Sequence, residues 1–126
     1  MRLIPSLLWI DCGAGLTVGI FVLSLADWLS RLYALPVALV VAMGVANVAY
    51  GTFSFSLARR ATRPRALLHL LVVANATWAV LCGVTAIAVS SYASPLGVAQ
   101  LVLEGLFVGG LAALEWRHRA SLLVAA

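Results

Sequence analysis

Four long apolar runs, separated by short polar segments, make up most of the chain. They lie at residues 6–26, 35–58, 66–90 and 96–116. Each run is close to the ~20 residues that an α-helix needs to cross the ~30 Å hydrocarbon core of a bilayer. The pattern therefore predicts an all-α, integral membrane four-helix transmembrane bundle, with residues 1–126 forming a single transmembrane domain.

The composition supports this fold class. The chain has 126 residues, of which 64% are hydrophobic and 10% are charged, whereas soluble domains are about half apolar and a quarter charged. The lipid bilayer is therefore the expected surroundings of the protein. All eight basic residues are arginine, which is typical of a GC-rich bacterial genome, so we expect the bacterial inner (plasma) membrane as the location.

The arginines also predict the orientation of the bundle. Cytoplasmic segments of membrane proteins carry an excess of Arg and Lys. With the N-terminus inside, only Arg31 lies on the outer side, and both termini are cytoplasmic. The inner arginines are Arg2, Arg59, Arg60, Arg63, Arg65, Arg117 and Arg119. Because topology explains the net charge of +4, we expect no nucleic-acid partner.

Glu104 lies near the middle of the fourth run. A charge at that depth costs from roughly 3 to more than 10 kcal/mol, so the carboxyl must be paired, protonated or in contact with water. No arginine is expected at its depth, and its candidate partners are neutral. We therefore expect Glu104 to be largely protonated when no cationic ligand is bound. The sequence predicts a polar cavity for a small-molecule ligand, lined by Glu104, Asn47, Tyr50, Asn75, Trp78 and Gln100.

Asp11 belongs to the first run and is expected near the inner mouth of this cavity. Two interpretations stay open: Asp11 pairs with His69 or with an arginine of the basic loop, or it is a proton or cation site. Glu115 is expected to be solvated or ion-paired with Arg117 and Arg119 at the inner interface.

Two glycine steps predict close helix packing. Gly15 and Gly19 follow Asp11 on one helical stripe, and Gly105 and Gly109 form a similar step beside Glu104. Glycines spaced by four residues let another helix approach closely. Because four short helices enclose little volume, we expect a homodimer formed through one of these two faces.

The chain shows no arrangement typical of an enzyme or a metalloprotein. No nucleophile has an adjacent base, and no phosphate-binding glycine loop occurs. A bis-histidine haem site needs two suitable histidines, but His118 lies on the tail. Cys12, His69 and Cys82 lack the spacing of zinc ligands. We therefore predict no catalytic residue, no metal and no cofactor, although Glu104 and Tyr50 leave a lipid or quinone enzyme open.

The outline of the chain resembles that of small four-span bacterial inner-membrane proteins of unassigned function, and its size and hydropathy are similar to those of the DoxX-like four-span proteins. It is also similar in size to the small multidrug resistance exporters, whose first-span carboxylate exchanges protons for cationic drugs in a dimer. Asp11 has a comparable position, whereas the basic middle loop departs from that family. No motif is specific enough to transfer site residues from either family.

Two functions follow from these observations. The first is a small membrane protein that binds or transports a small molecule through the cavity centred on Glu104. The alternative is a structural or accessory subunit of a larger membrane complex, in which the polar residues only form hydrogen bonds between helices.

Overall fold

Four long helices and two short ones form the protein in the computed structural model, which describes residues 6–123. In chain order they are α1 (Leu7–Ser24), α2 (Ala26–Tyr33), α3 (Val37–Ala58), α4 (Arg65–Val89), α5 (Pro95–Arg117) and α6 (Arg119–Leu122). The four long helices are each long and apolar enough to cross a membrane, with lengths of roughly 27 to 38 Å at 1.5 Å per residue. The predicted all-α four-helix bundle is confirmed, and the helices indicate a multi-pass membrane protein.

The first apolar run contains the largest departure from the predicted boundaries. The sequence places the break between the first two runs at residues 27–34, whereas the structure ends α1 at Ser24 and starts α2 at Ala26. Asp27 lies in the first turn of α2 and Arg31 in the last, an arrangement that the helix dipole favours. Ala34 ends α2 in the left-handed conformation, with φ 53°. The predicted loop is therefore an amphipathic helix that buries Leu29.

The long helices pack as two close pairs. Helix α1 packs along α3, and α4 packs along α5, whereas contacts between the two pairs are few. Apolar clusters close both ends of the bundle: Leu8, Leu57 and Leu68 belong to one, and Val40, Met43 and Leu101 to the other. Five buried polar side chains link the two pairs by hydrogen bonds: Asp11, Asn47, Asn75, Glu104 and Glu115.

Glycines allow the close approach within each pair. A Cβ atom on Gly15 would lie 2.9 Å from the carbonyl oxygen of Asn47, and one on Gly19 would lie 2.9 Å from that of Gly44. The requirement is weaker on the other pair: a Cβ atom on Gly105 would lie 3.2 Å from Cys82, whereas one on Gly109 would lie 3.4 Å from Ala79, an ordinary van der Waals distance.

This packing changes the expectation of a homodimer. Both faces that the sequence offered for a second copy are covered by a neighbouring helix of the same chain. A dimer of the folded chain therefore requires a different surface.

Candidate functional site

The Glu104 carboxyl is the meeting point of three helices. Trp78 of α4 donates its indole N–H to Oε2 at 2.5 Å, and Gln100 of α5 donates to Oε1 at 3.2 Å. The Asn47 amide of α3 lies 3.3 and 3.4 Å from the two oxygens, and the Cys82 thiol lies 3.7 Å from Oε2. Glu104 is only 8% exposed, so these groups replace water around it.

The described groups that contact the Glu104 carboxyl all act as hydrogen-bond donors. The indole of Trp78 has no acceptor atom, and the Asn47 amide also donates to the Met43 carbonyl at 2.9 Å. Within residues 6–123, no arginine or histidine contacts this carboxyl. A carboxyl group accepts such bonds well, and no cation from this part of the chain lies beside it. This environment suits a positively charged ligand.

A cavity of about 210 Å³ opens beside Glu104, between the two helix pairs. Helix α1 contributes Asp11, Gly15 and Val18, whereas Tyr50 comes from α3 and Phe107 from α5. Its remaining walls are formed by Ala14, Asn47, Asn75, Gln100, Leu103, Val108 and Leu111. Pockets that bind drug-sized ligands have volumes of roughly 300–1,000 Å³, so this cavity suits a smaller molecule.

A second cluster, with two acidic side chains, lies toward the end of the bundle that carries the arginine-rich loop. Asn75 donates one amide hydrogen to Asp11 Oδ2 at 2.8 Å and the other to Glu115 Oε1 at 3.0 Å. The two carboxyls also interact electrostatically with each other. Asp11 is 3% exposed, and Asn75 and Glu115 are fully buried.

The expected position of Glu115 is wrong. The sequence places this residue in solvent or beside Arg117 and Arg119, whereas the structure buries it completely against Asn75 and Asp11. Its Oε2 atom finds no hydrogen-bond partner among the described residues. The helical spacing contains the missed signal: Glu115 continues the stripe of Gln100, Glu104, Val108 and Leu111 by one further turn.

Two other candidate residues have different partners from those expected. Tyr50 lines the cavity, but its hydroxyl donates to the Ala74 carbonyl at 2.8 Å. Asn75 donates its amide hydrogens to Asp11 and Glu115 instead of to Glu104. Trp78 is half-buried, and its indole N–H reaches Glu104. The sequence predicts that it lines the Glu104 cavity, but it does not belong to the cavity wall. The structure therefore divides the predicted site into a Glu104 centre and an Asp11–Asn75–Glu115 centre, both on the same cavity.

His69 does not contact Asp11. Its ring packs on Trp116, with ring centroids 5.2 Å apart, and the partner of Asp11 is Asn75. No group of three or more His, Cys, Asp or Glu side chains in the described range is placed to hold a metal ion.

Comparisons with protein-family models, with curated proteins and with solved structures find no match to this chain.

Proposed function

We propose that the protein binds a small cationic molecule in the cavity between its two helix pairs and carries it through the membrane. The observation that carries the proposal is the Glu104 carboxyl, which is buried among neutral donors and opens onto a cavity where no described arginine or histidine lies beside it. The exclusive use of arginine as the basic residue supports a bacterial inner membrane as the location. The distribution of the arginines supports an orientation with both termini in the cytoplasm.

The cavity supplies the two features that a small organic cation requires. Glu104 provides the countercharge at one end, and the rings of Tyr50 and Phe107 provide aromatic surface along the wall. Aromatic faces attract cations by roughly 0.5 to 2 kcal/mol, most strongly where water is excluded. A ligand with one positive charge and an apolar body fits both features.

Protons provide the exchange partner. When the cation leaves, a proton on Glu104 neutralises the charge that would otherwise remain in the membrane. Asp11 lines the same cavity. Glu104 and Glu115 are three helical turns apart on α5, or roughly 16 Å, so the two acidic centres lie at different depths.

Substitution of Glu104 tests the proposal. We expect Glu104→Gln to fold normally and to bind tetramethylammonium at least about tenfold more weakly than the wild type, a loss of ~1.4 kcal/mol. The measurement is native mass spectrometry of protein released from membranes, followed by titration with that ion. Asp27→Asn is the matched control, because it removes the same charge from an exposed residue outside the cavity. Equal binding by all three proteins would refute the cavity as a cation site.

A second candidate function is that of an accessory subunit in a larger membrane complex. The observation that favours it is an open groove of about 520 Å³ between α3 and α4, lined largely by small and apolar residues that include Ala46, Ala49 and Ala74. A transmembrane helix of a partner, or of a second copy, packs well on such small residues. Ala49→Leu fills this groove without touching Glu104. Loss of a co-purifying partner with cation binding unchanged would favour the accessory role.

A further inference from the structure

A second cavity, of about 160 Å³, lies where α4 begins and α6 passes beside it. It is lined by Arg65, His69, Arg119, Ala120 and Leu123. Three of these five side chains are basic, and no acidic side chain belongs to the described lining. Glu115, the acidic residue nearest in sequence, faces Asn75 and Asp11 inside the bundle. The cavity therefore has an uncompensated positive charge, the reverse of the Glu104 cavity.

Trp116 positions two of the three basic groups. The guanidinium of Arg119 lies 4.0 Å from the centroid of its ring and donates Nη1–H to its backbone carbonyl at 2.7 Å. The imidazole of His69 packs on the same indole. Arginine has five N–H donors, so Arg119 retains others for a ligand. Both side chains therefore pack on one ring, which holds these two basic groups on the same side of the cavity.

Arg65 brings a helix terminus into the same cavity. It is the first residue of α4, which has 25 residues. The first N–H groups of a long helix have no partner within the helix, and together with the helix dipole they favour an anion. A guanidinium at this position adds a full positive charge, so the site is suited to phosphate oxygens.

The residues around the cavity are typical of the level of lipid headgroups. Helix α4 starts directly after the arginine-rich loop, and a tryptophan with adjacent arginines is typical of the boundary between membrane and water. Leu123 adds an apolar side chain to the cavity wall.

We propose that this cavity binds the phosphate group of an anionic phospholipid headgroup. Arg65 and Arg119 donate charge-assisted hydrogen bonds to the phosphate oxygens, and His69 donates a ring N–H. The inference is independent of the proposed cation-binding function. Free inorganic phosphate presents the same oxygens, so the experiment separates the two sources.

Retention of lipid by the purified protein tests the inference. The protein is reconstituted in mixed phosphatidylcholine and phosphatidylglycerol vesicles, released into mild detergent and examined by native mass spectrometry. We expect the wild type to retain one phosphatidylglycerol and Arg119→Gln to retain at least about tenfold less, which corresponds to ~1.4 kcal/mol. Arg60→Gln is the matched control, because it removes an exposed arginine from the same end of the bundle but outside this cavity.

The outcomes separate the alternatives. Equal retention by Arg60→Gln and Arg119→Gln overturns the inference, since general surface charge then accounts for the lipid. A second experiment adds inorganic phosphate to protein in pure phosphatidylcholine. If this phosphate binds and depends on Arg119, while no phosphatidylglycerol is retained from the mixed vesicles, the site takes free phosphate and the proposed lipid ligand is wrong. If Arg119→Gln does not fold, Arg119→Lys and His69→Gln serve instead, and unchanged retention in both overturns the inference. Tetramethylammonium binding to Arg119→Gln stays at the wild-type level, so failure here is distinguishable from failure of the cation site.

Discussion

The Arg63 guanidinium lies where the C-terminus of α3, the arginine-rich loop and the C-terminal tail meet. It donates to the carbonyls of Leu57, Ala58 and Leu122 at 2.9, 3.2 and 2.8 Å. The last carbonyls of a helix have no partner within it, and a cation there is favoured by the helix dipole. Burial lowers the pKa of the Arg63 guanidinium from its ordinary value, but arginine stays charged in proteins.

We expect Arg63→Gln to lower the free energy of unfolding by about 2–4 kcal/mol, because it removes hydrogen bonds from a charged donor to buried carbonyls. Arg60→Gln, which removes an equal charge from an exposed position in the same loop, should change it by less than about 0.5 kcal/mol. The measurement is reversible unfolding in mixed micelles. Equal effects of the two substitutions would mean that Arg63 contributes only through its charge.

At the scale of elements, the contact between α1 and α3 depends on the absence of side chains at particular positions. A Cβ atom at Gly51 would lie 2.7 Å from the backbone nitrogen of Leu16, and Gly15 is similarly crowded. Gly13 lies on the opposite face of α1, where an added Cβ atom would meet no neighbouring atom within 4 Å. A substitution at Gly13 therefore changes only the helix propensity of α1, whereas one at Gly15 also changes its packing on α3.

We expect Gly15→Ala to destabilise the bundle by about 1–3 kcal/mol, since the added methyl group forces the two backbones apart. Gly13→Ala should instead stabilise it by about 0.5–1 kcal/mol, because alanine loses less backbone entropy in a helix. Thermal unfolding of both variants in the same detergent is the measurement. Similar destabilisation by both substitutions would contradict the α1–α3 contact.

At the scale of the whole molecule, the two helix pairs enclose the polar cavity because they make few contacts with each other. The orientation of this arrangement in the membrane is predicted by the arginines. The loop between α3 and α4 carries Arg59, Arg60 and Arg63, whereas the loop between α4 and α5 has no charged residue. We therefore expect the first of these loops and both termini to share the cytoplasmic side.

Cysteine labelling in intact cells measures the orientation. We expect a membrane-impermeant maleimide to label Ser91→Cys from outside and to label Thr62→Cys only after permeabilisation, since both positions are exposed in their loops. Cys12 and Cys82 are buried, so the wild-type protein supplies an unreactive background. The opposite labelling pattern would reverse the predicted topology.

Glu104, Trp78 and Gln100 show how far the site follows from sequence. Gln100 and Glu104 are one turn apart on α5, and an indole far from either membrane interface needs an acceptor, so their association is predictable from spacing and depth. Asn75 is the counterexample. Its depth alone made it a candidate partner of Glu104, but the rotation of α4 directs its amide to Asp11 and Glu115.

The sequence by itself determined the fold class, the four long helices and the positions of the deep polar residues. Each of these depends on the free energy of transferring individual residues or short segments into lipid, which is a local property. Only the tertiary structure decided which helices pair, that residues 26–33 form a separate short helix and which carboxyls meet. Helix rotation and crossing are set by side-chain packing and hydrogen bonds between distant segments. For that reason Glu115, expected at the surface, lies buried beside Asp11.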